Sequence, residues 1–293
     1  MYDVIIIGKG PGGISASLYT VRGNLSTLVV SKDYGSLYKA DKIDNYYGFL
    51  ETVSGKELLE NGIKQATRLG VKFVDDEIVG ITSDGNFSVI GKKNTYQSKA
   101  VILAVGQPGK KLSLPGIKDF EGKGISYCTT CDGFFYRNKK VGVLGYTDYA
   151  MHEAEELMTY TKDITIFTNG QKLEIDDKYS GMLSRYKVIE KPISQISGGD
   201  FIEKVEFTDK TSENVDGIFV AYGSASALEF ALKMGVMTEN NALVTDKDGS
   251  TGIPGLYACG DCTGVFKQIS VAVGQGAIAG KSVLSYVKNL YKK

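Results

Sequence analysis

Two strand–glycine turn–helix–strand units, one at the N-terminus and one beginning near residue 140, predict an α/β fold. A polar run at 211–216, followed by further apolar segments, predicts that the chain then returns to its first half. The expected architecture is two Rossmann-like, three-layer nucleotide-binding-type domains, the first discontinuous. Its parts are expected at 1–109 and 217–293, around a central module at 112–216. The length of 293 residues exceeds one typical domain, and 42% hydrophobic residues can fill two cores. The 36 glycines point to tight turns and close backbone approaches.

Val4 to Ile7 is a β-branched run with the composition of a buried parallel strand. Gly8-Lys-Gly-Pro-Gly-Gly13 follows, then a helical segment to about Arg22 and a strand from Ser26 to Val30. Residues 56–69 have helical periodicity, and strands are expected at 71–74, 86–90 and Lys99 to Val105. The Gly/Pro-rich stretch from Gly106 through Pro115 and Gly116 reads as a connection. The pattern then restarts with a strand at Lys140 to Leu144, a turn at Gly145, a helix at Ala150 to Tyr160 and a strand at Asp163 to Phe167. Gly217 to Tyr222, Gly255 to Cys259 and a helix from Ser270 to Leu290 complete the chain. In that last helix Ala272, Gly276 and Gly280 recur at four-residue spacing and permit a close approach to sheet or cofactor.

Several function classes are excluded by composition. Lys plus Arg and Asp plus Glu both number 34, so no basic excess suggests nucleic acid, and the tail Lys288 to Lys293 reads as a solvated helix end. No run of about 18 apolar residues would span a membrane. The N-terminus reads as a strand, not a signal peptide, so a cytoplasmic location is expected. Four cysteines, Cys128, Cys131, Cys259 and Cys262, are too few for a disulfide-stapled scaffold.

Gly8, Gly10 and Gly13 form G-x-G-x-x-G between a strand and a helix. That spacing supplies a tight turn, backbone access to a pyrophosphate and close helix–strand packing. The helix N-terminus offers unpaired N–H groups to the phosphates, so a dinucleotide is expected here. The acidic residue usual after the second strand is missing; Ser31, Lys32 and Asp33 are the candidates for ribose or phosphate contact.

The segment Ile125-Ser-Tyr-Cys128-Thr-Thr-Cys131-Asp132-Gly-Phe-Phe135 carries the second chemistry. Two residues between cysteines allow a disulfide to close around a first helical turn, and Asp132 is a carboxylate placed to shuttle protons. Because Cys259-Gly-Asp-Cys262 is a second C-x-x-C, a zinc or iron–sulfur site is the competing explanation. The pairs fall in different modules, and no metal is expected.

Over nearly its full length the chain resembles the low-molecular-weight thioredoxin reductase family. The matching pieces are GKGPGG at 8–13, GSL at 35–37, IDNYYG at 43–48, AVG at 104–106, CTTCDGFF at 128–135, ACGD at 258–261 and KQISVAVGQG at 267–276. The resemblance implies an FAD-binding domain split around an NADPH-domain-like central module. It implies that Gly8, Gly10, Pro11, Gly12 and Gly13 hold the FAD pyrophosphate, and that Ser36, Leu37, Asn45, Ala104 and Gly106 lie along the flavin nucleotide. Gly260 and Asp261 fall at the ribityl–phosphate region, with Lys267 and Gln268 where the family has Arg-Gln beside the flavin. It further implies that Cys128 attacks the substrate disulfide, Cys131 exchanges electrons with flavin, and Asp132 is the acid/base. Thioredoxin or a thioredoxin-like protein is the implied substrate, and family members are homodimers whose modules move relative to each other. Cys259 and Cys262 are expected to be spectators.

The resemblance breaks in the second glycine turn. Family members carry G-x-G-x-x-A there, then a basic cluster that pairs with the NADPH 2′-phosphate. Here the turn is Gly145-Tyr146-Thr147-Asp148-Tyr149-Ala150, and Phe167-Thr-Asn-Gly-Gln-Lys172 stands where His-Arg-Arg is usual. A β-branch and a carboxylate at the phosphate position oppose binding, and one lysine leaves an anion short of charged partners. The later segment is also altered, to Ala221-Tyr-Gly-Ser-Ala-Ser226. The chain is in this respect most similar to the ferredoxin-dependent flavin thioredoxin reductases, which lack the pyridine-nucleotide signatures. Ferredoxin is therefore the expected donor, with NADPH or NADH as the alternative. A flavin-dependent dithiol oxidase is a further alternative.

Overall fold

Aliphatic and β-branched runs set the central parallel strands, which are buried on both faces. A computed structural model describes residues 1–106, 112–127, 129–223, 227–240 and 242–292, the side chains of 130, 131 and 227–229 excepted. In chain order, β1 (Tyr2–Ile7) leads to α1 (Pro11–Arg22), β2 (Thr27–Ser31), α2 (Gly55–Arg68), β3 (Lys72–Asp75), β4 (Ile78–Ser83), β5 (Phe87–Gly91) and β6 (Thr95–Leu103). Then come β7 (Ile125–Ser126), α3 (Thr129–Asp132), β8 (Val141–Leu144), α4 (Asp148–Leu157), β9 (Ile164–Phe167), α5 (Asp177–Ser180) and β10 (Lys187–Ile189). They are followed by β11 (Ile193–Gly198), β12 (Ile202–Phe207), β13 (Ser212–Asn214) and β14 (Gly217–Val220). The chain closes with α6 (Ala227–Lys233), β15 (Thr238–Glu239), β16 (Ala242–Leu243), β17 (Leu256–Ala258) and α7 (Ile269–Leu290). Among the described residues no helix is long and apolar enough to cross a membrane.

The chain divides into two compact units, Met1–Pro108 with Ser226–Lys293, and Gly109–Ala225. In the first unit β3, β2, β1 and β6 are parallel neighbours, while β5 and β4 extend the sheet antiparallel. One edge of β6 is shared in sequence: Thr95 to Ser98 pair with β5, and Val101 to Leu103 pair in parallel with β17. The returning chain thus completes the sheet beside its first-half strands. Val283 and Val287 of α7 join Val4, Ile6 and Ile102 in one core, each such side chain contributing about 1.5–3 kcal/mol. Helices α1 and α7 pack backbone to backbone. A Cβ on Gly276 would sit 2.1 Å from the Gly12 carbonyl oxygen, and one on Gly280 would sit 2.6 Å from that of Ala16. The small-residue spacing of α7 therefore serves a helix–helix approach.

In the second unit β10, β9, β8, β14 and β7 form a five-stranded parallel sheet. Helix α4 buries Met151, Ala154 and Leu157. The antiparallel strands β11 to β13 supply Ile193, Ile196, Ile202, Val205 and Phe207 to a core with Leu144, Phe167 and Ile218. One boundary differs from the sequence expectation. Gly217–Val220 does not begin the return to the first unit, because it pairs with β8 and β7 inside the second sheet. A short fully buried strand carries no periodicity that says which sheet it joins, and the polar run before it forms β13, the last strand of the β11–β13 meander.

Candidate functional site

Because β2, β1, β6 and β17 run parallel, their carboxyl ends share one edge of the first sheet, where open α/β sheets bind ligands. Gly8–Gly13 follows β1, Ser36 and Leu37 follow β2, Ala104 and Gly106 follow β6, and Gly260 and Asp261 follow β17. Helix α1 begins there with Gly10 as its extended N-cap, Pro11 in its first turn, no capping side chain and no acid in the first turn. Its leading N–H groups thus face no carboxylate of their own helix, and the helix dipole favours an anion. The three motif glycines meet different surroundings. A Cβ on Gly13 would lie 2.0 Å from the Gly8 carbonyl oxygen, and one on Gly8 (φ +110°) 2.3 Å from that of Ala104. At Gly10 a Cβ would meet nothing within 4 Å. Tight packing on two sides and open space at the third fit a dinucleotide pyrophosphate.

Two expected residues far apart in sequence meet on this edge: the Asn45 side-chain amide donates to Gln268 Oε1 at 2.9 Å. Gln268 is also the N-cap of α7, and the exposed Lys267 precedes it. Ser36 and Leu37 open a 3-10 turn over Ser36–Lys39, braced where the Leu37 carbonyl would meet any Cβ on Gly55 at 1.8 Å. Gly260 (φ +79°) precedes a second 3-10 turn over Asp261–Thr263. Its N–H donates to Gln275 Oε1 at 2.9 Å, and Gln275 Nε2 donates to Thr263 Oγ1 at 3.0 Å. Sequence reasoning missed Gln275 as the brace of this loop. Its position inside the KQISVAVGQG match, in the second turn of the helix, was the available signal.

Lys9 was also missed. Its side chain is 7% exposed, with the ammonium 2.6 Å from Asp75 Oδ1 and 4.0 Å from the centre of the Tyr34 ring. The three sequence candidates for ribose contact are tied locally. Ser31 donates to the Asp33 carbonyl, Lys32 pairs with Glu77 at 3.0 Å, and Asp33 Oδ1 accepts from Gly35 N–H. Asp75, paired in register with Ser31 on the neighbouring strand, puts a carboxylate at the strand edge where the motif lacks one.

In the second unit Cys128 lies outside the described residues. Cys131 lies in α3, its side chain likewise outside them. Their supports are described. The Ser126 hydroxyl donates to Asp132 Oδ2 at 2.7 Å, orienting the expected acid/base. Thr129, between the cysteines, donates to Glu153 Oε2 on α4 at 2.6 Å. Gly133 is required where a Cβ would strike the Tyr160 ring at 2.6 Å. Tyr136 packs edge-on against Phe219 and over Gly217, and burial, then the charges of Asp132 and Asp216, push its hydroxyl pKa up. Phe134 and Phe135 are left 59% and 67% exposed. On α4, His152, Glu153 and Glu156 bring three ligand-type atoms within 4.8 Å of one another, the Glu153 carboxylate already accepting from Thr129.

Cys259 and Cys262 are buried free thiols. Burial pushes both up, Cys262 to about 12, so neither supplies a thiolate at neutral pH. Cys259 Sγ packs at the start of α1, 3.3 Å from where a Gly12 Cβ would sit.

The second glycine turn is closed by its own chain. Thr147 caps α4 and donates its hydroxyl to the Gly223 carbonyl. Asp148, in the first turn, is fully buried, and its Oδ1 accepts from Asp176 N–H at 2.8 Å. Glu174 N–H donates to the Tyr146 carbonyl at 2.8 Å, and Thr147 forms a bridge with Glu174. Tyr146 meets Tyr222 edge-on at 5.1 Å. A carboxylate and a strap over 174–176 thus stand at the helix N-terminus that a pyrophosphate would need. At the end of β9, Asn169 Oδ1 accepts from Ile193 N–H, and Lys172 is exposed.

The chain matches the pyridine nucleotide-disulphide oxidoreductase family over residues 2–276. It is 30% identical over 305 residues to a thioredoxin reductase of Listeria monocytogenes, covering 99% of this chain and 95% of that protein. Among solved structures it is similar to an atypical thioredoxin reductase from Desulfovibrio vulgaris Hildenborough, at 40% identity, a TM-score of 0.94 and 99% coverage of each chain. A ferredoxin-flavin thioredoxin reductase from Clostridium acetobutylicum is 31% identical, with a TM-score of 0.68, covering 100% of this chain and 99% of that one. Matched along nearly its whole length by sequence and by fold, this chain belongs to the pyridine nucleotide-disulphide oxidoreductase family, among its thioredoxin reductases.

Proposed function

We propose that this protein is an FAD-dependent thioredoxin reductase whose electrons come from reduced ferredoxin and not from a nicotinamide. The observation that carries the donor assignment is the closed second turn, with Asp148 buried at the N-terminus of α4 and the 174–176 strap bonded across it. A pyrophosphate entering there would displace those bonds and meet the Asp148 carboxyl oxygens, acceptors where a phosphate needs donors.

Bound FAD would supply a carrier that accepts electrons singly and delivers a pair. Gly8, Gly10, Pro11, Gly12 and Gly13 would hold its pyrophosphate, Ser36, Leu37, Asn45, Ala104 and Gly106 its nucleotide flank, and Gly260, Asp261, Lys267 and Gln268 the opposite flank. Cys128 attacks one sulfur of the thioredoxin disulfide, and the mixed disulfide that forms is broken by Cys131. The Cys128–Cys131 bond then replaces the substrate's, and thioredoxin leaves with two electrons and two protons. Asp132, oriented by Ser126, hands a proton to the leaving thiolate. The exposed Phe134 and Phe135 beside the pair suit a protein substrate. The working form is a homodimer in the cytoplasm.

The test supplies FAD-loaded protein with thioredoxin and a ferredoxin-reducing system and counts thioredoxin thiols over time. Turnover that stops in Cys128→Ser and Cys131→Ser supports the proposal. Dithiol-dependent oxygen consumption without thioredoxin reduction would establish the oxidase reading instead.

A further inference from the structure

We propose that Asp75, delivered by β3, reads the adenosine ribose hydroxyls of FAD, and that Lys9 is the positioning residue that holds its carboxylate there. The inference rests on the glycine turn after β1 being the FAD site proposed above. In the dinucleotide motif an acidic residue at the end of the second strand accepts from the ribose. Here β2 ends at Ser31, whose hydroxyl donates to the Asp33 carbonyl. A ribose hydroxyl is a donor that gains from a charged acceptor, and this edge must supply one from elsewhere.

Asp75 is the last residue of β3 and pairs in register with Ser31. Neighbouring strands lie about 4.8 Å apart, so one strand's width separates its backbone from the end of β2. Lys9 comes to it from the turn itself, between Gly8 and Gly10. The Lys9 side chain is 7% exposed, with its ammonium 2.6 Å from Asp75 Oδ1 and 4.0 Å from the Tyr34 ring centre. A buried ammonium needs such partners, and this one ties the Asp75 carboxylate to the phosphate turn. Tyr34 in turn stacks on Tyr38 at 4.7 Å. The Lys93 ammonium donates to the Asp75 backbone carbonyl at 2.9 Å and fixes the strand end.

The neighbouring carboxylates are committed elsewhere. Asp76 is 2% exposed and accepts from the N–H groups of Lys93 and Asn94 and from the Tyr96 hydroxyl. Glu77 pairs with Lys32 and Lys92, each at 3.0 Å. Asp33 turns back onto Gly35 N–H within its own loop. Asp75 differs from these. Its side chain is 72% exposed, and among the described residues its Oδ2 accepts no hydrogen bond. A ligand can reach that oxygen without opening the fold, and the Lys9 pair survives because it uses the other one.

The experiment equilibrates FAD-loaded protein with equal excesses of FAD and an FAD analogue whose adenosine is 2′-deoxy or, separately, 3′-deoxy. The protein is then freed of unbound flavin and denatured, and its bound flavins are counted by chromatography. Wild type should hold FAD over at least one analogue by about ten-fold, the discrimination expected of a hydroxyl bonded to a charged acceptor. Asp75→Ala should bring that ratio to about one. Lys9→Met keeps the stem but releases the carboxylate, and should leave an intermediate ratio. A substitution that merely loosens the fold weakens both flavins alike and does not move the ratio. Should Asp75→Ala retain no flavin, Asp75→Asn, which keeps the shape but not the charge, should lower the ratio at least about two-fold. A wild-type ratio near one, or a ratio that survives Asp75→Ala and falls in Asp33→Ala, would overturn the proposal. Wild-type protein that binds no flavin would instead defeat the FAD site itself, a result distinct from an unchanged ratio.

Discussion

The turns after β1 and β8 share a plan, a buried parallel strand followed by a glycine and then a helix, yet they meet their helix N-termini in opposite ways. At α1 the cap is a glycine with open space before it and no acid in the first turn. At α4 the cap is Thr147, bonded to Gly223, and the first turn holds the buried Asp148, bonded to Asp176. A helix N-terminus attracts anions by its unpaired N–H groups and dipole, whichever helix it is. What differs is whether the protein has already spent that potential on itself. The first turn is available to a ligand, and the second has become part of the core.

The sharpest way to break this contrast is to close the first turn as the second is closed. Gly10→Glu places a carboxylate in the open space before α1. FAD retention, read from the flavin-to-protein absorbance ratio after dialysis, should fall at least about 100-fold with the fold intact by circular dichroism. Normal FAD loading would show that this turn is not the pyrophosphate site. A smaller effect is expected from Gly276→Ala, whose Cβ would press on the Gly12 carbonyl. Overpacking there should cost about 1–3 kcal/mol, seen as a lower Tm, and loosen FAD as α1 is displaced.

Opening the second turn should not restore a nucleotide site. Asp148→Ala removes the acceptor of Asp176 N–H and should cost about 1–3 kcal/mol by chemical denaturation. NADPH should still not bind, since the strap over 174–176 keeps its bond to Tyr146 and Lys172 remains the one cation of 167–172. Smaller still, Asn45→Ala severs the link to Gln268 and should weaken FAD by a few-fold, about 0.5–1.5 kcal/mol. Finally, Cys259 and Cys262 should resist iodoacetamide in the native protein at pH 8 and react after unfolding, because burial holds both thiols protonated.

Much of the first unit was legible because each element carries a local signal. A β-branched strand, G-x-G-x-x-G and a small-residue helix each dictate their own geometry, and β1, α1 and α7 lie where those signals stand. The defects of the second turn were legible too, since Thr147 and Asp148 are plainly unsuited to a phosphate. How the turn is closed was not, because Glu174 and Asp176 reach it from a segment with no pattern of its own. The same holds for Asp75, which reaches Lys9 from the next strand, and for Glu153, which reaches Thr129 from another helix. The placement of Gly217–Val220 depended on pairing between strands distant in sequence, which composition does not encode. Nonlocal partners are the part that folding supplies.

The measurement that tests the central claim most directly is the anaerobic absorbance of bound flavin, titrated separately with NADPH, NADH and enzymatically reduced ferredoxin. Bleaching by ferredoxin alone, followed by the appearance of thioredoxin thiols, is the result expected of a closed second turn. Rapid bleaching by either nicotinamide at micromolar concentration would contradict it, and would mean that the Asp148 carboxylate and the 174–176 strap yield to a nucleotide.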